Sequence, residues 1–243
     1  AAARTTINVD PANDQPVFGG LNNTPTFTEG GAAVVLDGNA TIADPELDAA
    51  DNYNGATLTL VRNGGANAED IFGNSGTLNA LTESGSLVVG GTTIGTVTTN
   101  SGGTLLLTFN GNATTALVNS TLQQITYSNS SNTPPANVQI DFTINDGNAG
   151  GQGSGGALND TGSITVTITP TNDPPTVDLD ADDSSGATIN DYAVTFTEGG
   201  APIGIADIDT DVVDPDSTTF AYVKLAVSGL LNGNAEKLIL DAD

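Results

Sequence analysis

The sequence has no cysteine, no histidine and no tryptophan, and only 4 Lys+Arg among its 243 residues. Each shortage removes a class of chemistry. Without cysteine no disulfide staples the chain, and its redox compartment cannot be read from cysteine usage. Without histidine or cysteine neither a Ser-His-Asp triad nor a thiol nucleophile can be assembled. A glycosidase-type carboxylate pair is compatible with the composition but needs a cleft with aromatic or basic substrate contacts. Aromatics are 5% of the chain, so the sequence reads as a non-enzyme. Against the 4 cations stand 29 Asp+Glu, a formal net charge of −25. That balance argues against nucleic acid and anionic lipid as partners and calls for counterions, multivalent cations foremost. No apolar run approaches membrane-spanning length, so no membrane insertion is expected in this segment. Residues 1–4 do not read as a signal peptide, and any targeting signal or anchor is expected on residues outside this sequence.

What the chain has in quantity is glycine, threonine and asparagine, which suit strands and turns rather than helices. Ile164, Val166 and Ile168 alternate with Ser163, Thr165, Thr167 and Thr169, the period of a strand buried on one face. Pro170 ends that ladder, and Asn172-Asp173-Pro174-Pro175 continues neither helix nor sheet. The same phrase stands earlier as Thr6-Ile7-Asn8-Val9-Asp10-Pro11-Ala12-Asn13-Asp14-Gln15-Pro16, about one domain length away. Thr26-Phe27-Thr28-Glu29-Gly30-Gly31 recurs letter for letter as Thr195-Phe196-Thr197-Glu198-Gly199-Gly200. In nearly the same register Asp37 matches Asp207, Asp44-Pro45-Glu46 matches Asp214-Pro215-Asp216, and Asn67-Ala68-Glu69 matches Asn234-Ala235-Glu236. The linker offset is shorter, which places an insertion near residues 180–190 of the second copy. Such anchors predict an internal repeat. Residues 1–16 read as the last strand of a preceding repeat plus a linker, 17–175 as a complete repeat plus linker, and 176–243 as the N-terminal part of a following, incomplete one.

Within the complete repeat, strands are predicted over residues 57–62, 105–109 and 86–89. The cleanest is 138–144, where Val138, Ile140, Phe142 and Ile144 alternate with polar residues. Residues 113–124 carry Leu117 and Leu122 at loosely helical spacing and predict one short helix or turn. Residues 150–156 predict a loop between the last two strands, although they formally fit G-x-G-x-x-G; no helix follows them, so the dinucleotide reading is rejected. About seven short strands with such connections predict an antiparallel sandwich. Six N-x-[ST] triplets, at Asn22, Asn39, Asn112, Asn119, Asn129 and Asn159, are mostly a consequence of composition. The acidic run over residues 178–183 reads as a solvated loop.

The Asn-Asp-x-Pro linker, the early Glu-Gly, the Asp-Pro-[Glu/Asp] cluster and Asn145-Asp146-Gly147 before the last strand resemble the cadherin-like repeats of large bacterial surface adhesins. Leu122-Gln123-Gln124-Ile125-Thr126-Tyr127-Ser128-Asn129 is similar to a phrase that precedes the late strands of those repeats. The resemblance covers essentially the whole chain. It implies tandem Greek-key β-sandwiches, joined by short Pro-containing linkers, with Ca²⁺ at the junctions. It gathers Asn13, Asp14, Asp44, Glu46 and Asp146 at the upper pole of the complete repeat, and Glu29, Asn172, Asp173, Asp214 and Asp216 at the lower one. Glu198, the counterpart of Glu29, belongs to the same set, and Asp48 and Asp51 lie nearby as spares. The family's linkers usually carry an acid shortly before Asn-Asp; Asp10 serves at the first junction but Thr169 stands at the second, which implies fewer or weaker ions there. Carboxylates, Asn amides and carbonyls are the oxygen ligands that Ca²⁺ takes, six to eight at a time; the competing reading of each single Asp is a turn residue facing water.

Three functions of different class follow: a structural segment of an extracellular adhesin or fibre, with neighbouring repeats as partners; a Ca²⁺-dependent polysaccharide-binding module; and, least favoured, a carboxylate-pair glycosidase. The last repeat lacks counterparts of roughly residues 73–169, which predicts exposed Leu225, Val227, Leu238 and Leu240 and unpaired strand edges. The favoured explanation is that the sequence is a piece of a longer polypeptide; the less favoured one is strand addition between subunits.

Overall fold

Apolar residues at every second position are the organising feature of the structure, a computed structural model that describes residues 4–229 and 235–239. The chain is mostly strand and divides into two compact units, residues 1–172 and 173–243. Asn234 and Leu240, used above in the repeat and exposure expectations, lie outside the described residues.

The first unit opens with β1 (Val17–Gly19), β2 (Thr26–Thr28), β3 (Val34–Val35) and β4 (Thr41–Ala43). A one-and-a-half-turn helix, α1 (Pro45–Ala50), follows directly. Then come β5 (Thr57–Arg62), β6 (Asp70–Asn74), β7 (Ser86–Val89), β8 (Thr92–Ser101) and β9 (Thr104–Phe109). Helix α2 (Thr115–Leu122) leads to β10 (Ile125–Asn129), β11 (Asn137–Asn145) and β12 (Asn159–Thr169). Seven strands form one sheet in the order β2-β12-β11-β5-β9-β8-β7, while β3-β10-β6 and β1-β4 form smaller sheets. Leu58 and Leu60, Leu105 and Leu107, Ile140 and Phe142, and Ile164 and Val166 point from the large sheet into one core. Phe27, Ile42, Phe72, Ile125 and Tyr127 belong to the same core. Tyr127 meets Phe27 and Phe72 edge-on at 6.2 Å. Burying a large aromatic or aliphatic side chain is worth about 1.5–3 kcal/mol, so this core compensates for the scarcity of aromatics by continuity.

One buried polar cluster sits inside it. Asp70 accepts from Arg62 Nε and Nη2, both at 2.6 Å, from the Tyr127 hydroxyl at 2.6 Å and from Asn129 at 3.0 Å. Every lone pair is thus matched, the condition under which a buried charge is tolerated. Burial and the Asp70 carboxylate push the Tyr127 hydroxyl well above its ordinary pKa.

Several expectations need correction. The sheet is not wholly antiparallel: β2 runs parallel to β12, Phe27 opposite Ile168, because the early strand enters beside the last one from the same pole. Residues 5–9, expected as a strand, form none, and Ile7 and Val9 are exposed; a strand needs a partner ladder, and these residues have none. Helix α1 was not expected at all. Asp44 caps it by accepting from Glu46 N–H at 3.0 Å and Leu47 N–H at 2.9 Å, and Pro45 occupies its first turn, a start signal of the usual kind. The expected helix over residues 113–124 is α2, and the expected strands 57–62, 86–89, 105–109 and 138–144 correspond to β5, β7, β9 and β11.

The second unit is sparser. Among its described residues β13 (Thr176–Asp178) pairs antiparallel with β14 (Asp211–Val213), Thr176 opposite Val213. Leu225, Val227 and Leu238 are exposed, as the incomplete repeat predicts.

Candidate metal centre

At one pole of the first unit the linker folds back onto the body. Asn13 N–H donates to the Ser154 carbonyl at 2.8 Å and Ser154 N–H to the Pro11 carbonyl at 3.0 Å. Gly153 makes this approach possible: a Cβ there would stand 2.7 Å from the Pro11 carbonyl oxygen, and its φ is +121°. The glycine-rich loop over residues 150–156 is therefore a dock for the linker, not the plain hairpin-type loop its sequence suggests. The Asn13 amide then reaches inward, donating to Asp146 Oδ2 at 2.6 Å and to the Gly156 carbonyl at 3.0 Å.

Asp146 is fully buried. Its Oδ1 accepts the N–H groups of Asn148 and Leu158 at 3.0 and 3.1 Å. Gly147, at φ +68°, turns the chain beside it; a Cβ there would stand 2.2 Å from the Gly55 carbonyl oxygen, so β11 ends where it must. Asp44 is also fully buried, and while its Oδ1 caps α1, its Oδ2 has no hydrogen-bond partner. Asn13 Oδ1 and Gln152 Oε1 are buried without a partner as well, although Gln152 donates to the Asp146 carbonyl at 3.0 Å. Asp44 is held above the ordinary carboxylate range by desolvation first, partly offset by its two cap bonds, with the charges of Glu46 and Asp146 adding to the rise. Glu46 Oε2 accepts the Asp14 N–H at 3.3 Å. Asn13, Asp14, Asp44, Glu46 and Asp146 are thus brought to one pole. Orphaned buried oxygens are costly, on the order of 1–3 kcal/mol each, and oxygen-only donors are the set a hard cation fits.

The nearby spares are engaged otherwise. Asp48 accepts from the Tyr53 hydroxyl at 2.7 Å, the Thr115 hydroxyl at 2.8 Å and Asp44 N–H at 3.1 Å. Asp51 accepts Thr115 N–H at 2.9 Å. Both join α1 to α2.

The lower-pole residues divide between the units. In the first, Glu29 is buried; its Oε2 accepts Thr171 N–H at 2.9 Å and its Oε1 has no partner. Asn172 closes that unit. In the second, Asp173 N–H donates to Asp216 Oδ2 at 2.5 Å and Asp216 N–H to Asp214 Oδ1 at 2.9 Å, while Glu198 is exposed.

A second acidic group was not anticipated. Asp180, Asp182, Asp207 and Asp209 each place a carboxylate oxygen within 4.8 Å of the others, and this cluster could hold a metal ion. Residues 178–183, read from sequence as a solvated loop, contribute half of it. Asp180 is buried, accepting Ser184 N–H at 3.0 Å and Ser185 N–H at 2.9 Å, and the Ser185 hydroxyl helps hold it below the ordinary carboxylate range. Asp209 is pushed upward by desolvation and by the charges of Asp182, Asp207 and Asp180. The signal was an Asp-x-Asp pair at each of two positions, 180–182 and 207–209, but only folding brings them together.

Among the described residues no helix is long and apolar enough to cross a membrane. Comparison with protein-family models, curated proteins and solved structures returns no match.

Proposed function

We propose that this chain is a structural segment of a long extracellular adhesin or fibre, composed of tandem cadherin-like Greek-key sandwiches and stiffened by Ca²⁺ at the linker poles. The observation that carries the reading is the pair of buried, partnerless oxygens, Asp44 Oδ2 and Asn13 Oδ1, beside Asp146 and Glu46. A divalent cation supplies the positive charge that such oxygens lack. Asn13 belongs to the linker, Asp44 to the start of α1 and Asp146 to the end of β11. Drawing these three together fastens the linker to the body, and a fastened linker transmits direction from one repeat to the next. Ca²⁺ suits the site better than Mg²⁺, which demands a tight octahedron and keeps its waters. The same ion is proposed for the four-Asp cluster. The chain is read as non-catalytic, with neighbouring repeats as its partners.

The test is calorimetric titration with Ca²⁺ and thermal melting with Ca²⁺ or EDTA. Binding to the folded state alone raises stability by about 2.7 kcal/mol at a hundredfold excess over Kd. Asp44→Asn keeps a good helix cap but should lose most of that gain, while its stability in EDTA is unchanged or improved. Melts and scattering curves indifferent to EDTA would sink the reading. Glycan arrays run with and without chelator address the polysaccharide alternative.

A further inference from the structure

Two segments of this chain are the halves of a strand pair that the chain makes elsewhere. In the first unit β2 lies parallel to the end of β12, with Thr26 opposite Thr167, Phe27 opposite Ile168 and Thr28 opposite Thr169. The contact continues past the strands, Glu29 N–H donating to the Thr169 carbonyl at 3.0 Å. Residues 195–198 copy 26–29 letter for letter, and residues 5–10 precede their Asn-Asp linker as the end of β12 precedes its own. Neither copy is in a strand. Ile7 and Val9 are 81% and 82% exposed, Val194 and Phe196 47% and 57%.

We propose that residues 4–10 of one copy of the chain add as a parallel strand to residues 191–197 of a second copy. Carrying over the β2–β12 register sets Asn8 opposite Thr195, Val9 opposite Phe196 and Asp10 opposite Thr197. Extended backwards, it sets Ile7 opposite Val194, Thr5 opposite Tyr192 and Arg4 opposite Asp191. Side chains alternate between faces, and directly opposed residues share one. One face of the ribbon therefore collects Ile7, Val9, Val194, Phe196 and Tyr192. The other pairs Arg4, one of 4 basic residues in the chain, with Asp191, which is exposed. Among the described residues the ion pair in the structure is Arg62 with Asp70, so Arg4 and Asp191 are not committed to one another's competitors. A slip of one residue would set Ile7 and Val9 against polar or small residues and separate the charges, so the register is specified. The interface is heterologous, the first unit of one copy on the second unit of the next, which propagates as an open chain.

The absence of native cysteine permits a clean test, with Ca²⁺ saturating in every arm so that loss of metal does not enter. A chain carrying Val9→Cys is oxidised with a differently tagged chain carrying Phe196→Cys. Slipped controls pair Val9→Cys with Thr195→Cys or Thr197→Cys. The expected result is a disulfide-linked heterodimer in the first mixture and at least ~10-fold less in the controls, the discrimination that about 1.4 kcal/mol confers. Sedimentation velocity of the unmodified chain should show concentration-dependent oligomers that Arg4→Asp abolishes and that Arg4→Asp with Asp191→Arg in the same chain restores. Equal yields in all three mixtures, or an unmodified chain that stays monomeric at every concentration, would overturn the proposal. So would a Val9→Cys, Phe196→Cys double variant that closes only within itself.

Discussion

The hexapeptide Thr-Phe-Thr-Glu-Gly-Gly occurs twice and has two fates. At residues 26–31 it supplies β2, Phe27 is 1% exposed in the core against Tyr127, and Glu29 is buried. At residues 195–200 it forms no strand, Phe196 is 57% exposed and Glu198 faces water. Identical local preference gives different structure because β2 has β12 to bond and a core to fill, whereas residues 195–197 have neither in the described chain. Strand propensity is the ability to fit a half-buried surface, and it is realised only where that surface exists.

The largest effect expected from this contrast is on the two phenylalanines. Phe27→Ala should cost about 3–5 kcal/mol in urea unfolding, whereas Phe196→Ala should cost under about 1 kcal/mol. Equal costs would mean that the second hexapeptide is also packed in solution.

The matched aspartates sharpen the contrast. Asp37 is buried and accepts four backbone N–H groups, those of Asn22, Asn23, Asn39 and Ala40. Asp207 accepts the Ser184 hydroxyl at 2.9 Å and its neighbour Ile208 N–H, and stands among three other carboxylates. Asp37→Ala should destabilise by about 2–3 kcal/mol. Asp207→Ala in EDTA should be neutral or slightly stabilising, since it relieves like-charge repulsion, and it should weaken any ion held by the cluster. Chemical denaturation of both variants with and without Ca²⁺ reads the difference.

Next in size is the glutamate of the same hexapeptide. Glu29→Ala releases the Thr171 N–H and should cost about 1–2 kcal/mol, whereas Glu198→Ala should lie within about 0.5 kcal/mol of the parent. Amide hydrogen exchange at Thr171 should rise in the first variant alone.

The smallest effect is a slope with pH. Asp44 is raised in the folded chain, so in the metal-free protein its contribution is fully present below its unfolded pKa and is lost as pH rises through the folded one. Metal-free melts should therefore show a downward step in this window that Asp44→Asn removes and that Ca²⁺ suppresses. A step that persists in Asp44→Asn would assign it to other carboxylates.

How much was legible depended on period. β5, β11 and β12 were readable because Leu58 and Leu60, or Val138 through Ile144, alternate over enough residues to leave one pattern. β8 was missed because Thr92–Ser101 carries few apolar residues and is held by its neighbours β7 and β9. α1 was missed although its start signal was in view: Asp44-Pro45-Glu46 was read for its oxygens, not for its cap. The pole residues Asn13, Asp44, Glu46 and Asp146 could be grouped from the repeat and the family resemblance, but their order gives no distance between them.

By itself the sequence determined the all-β character, the repeat and the demand for cations, because alternation, repeated words and net charge are sums over local residues. Tertiary structure alone decided which strand lies parallel to which, that Gly153 lets the linker dock, and that Asp180 and Asp182 meet Asp207 and Asp209. It also decided which oxygens are left without a partner. Partnerlessness is a property of everything around an atom, and what surrounds Asp44 Oδ2 comes from segments far apart along the chain.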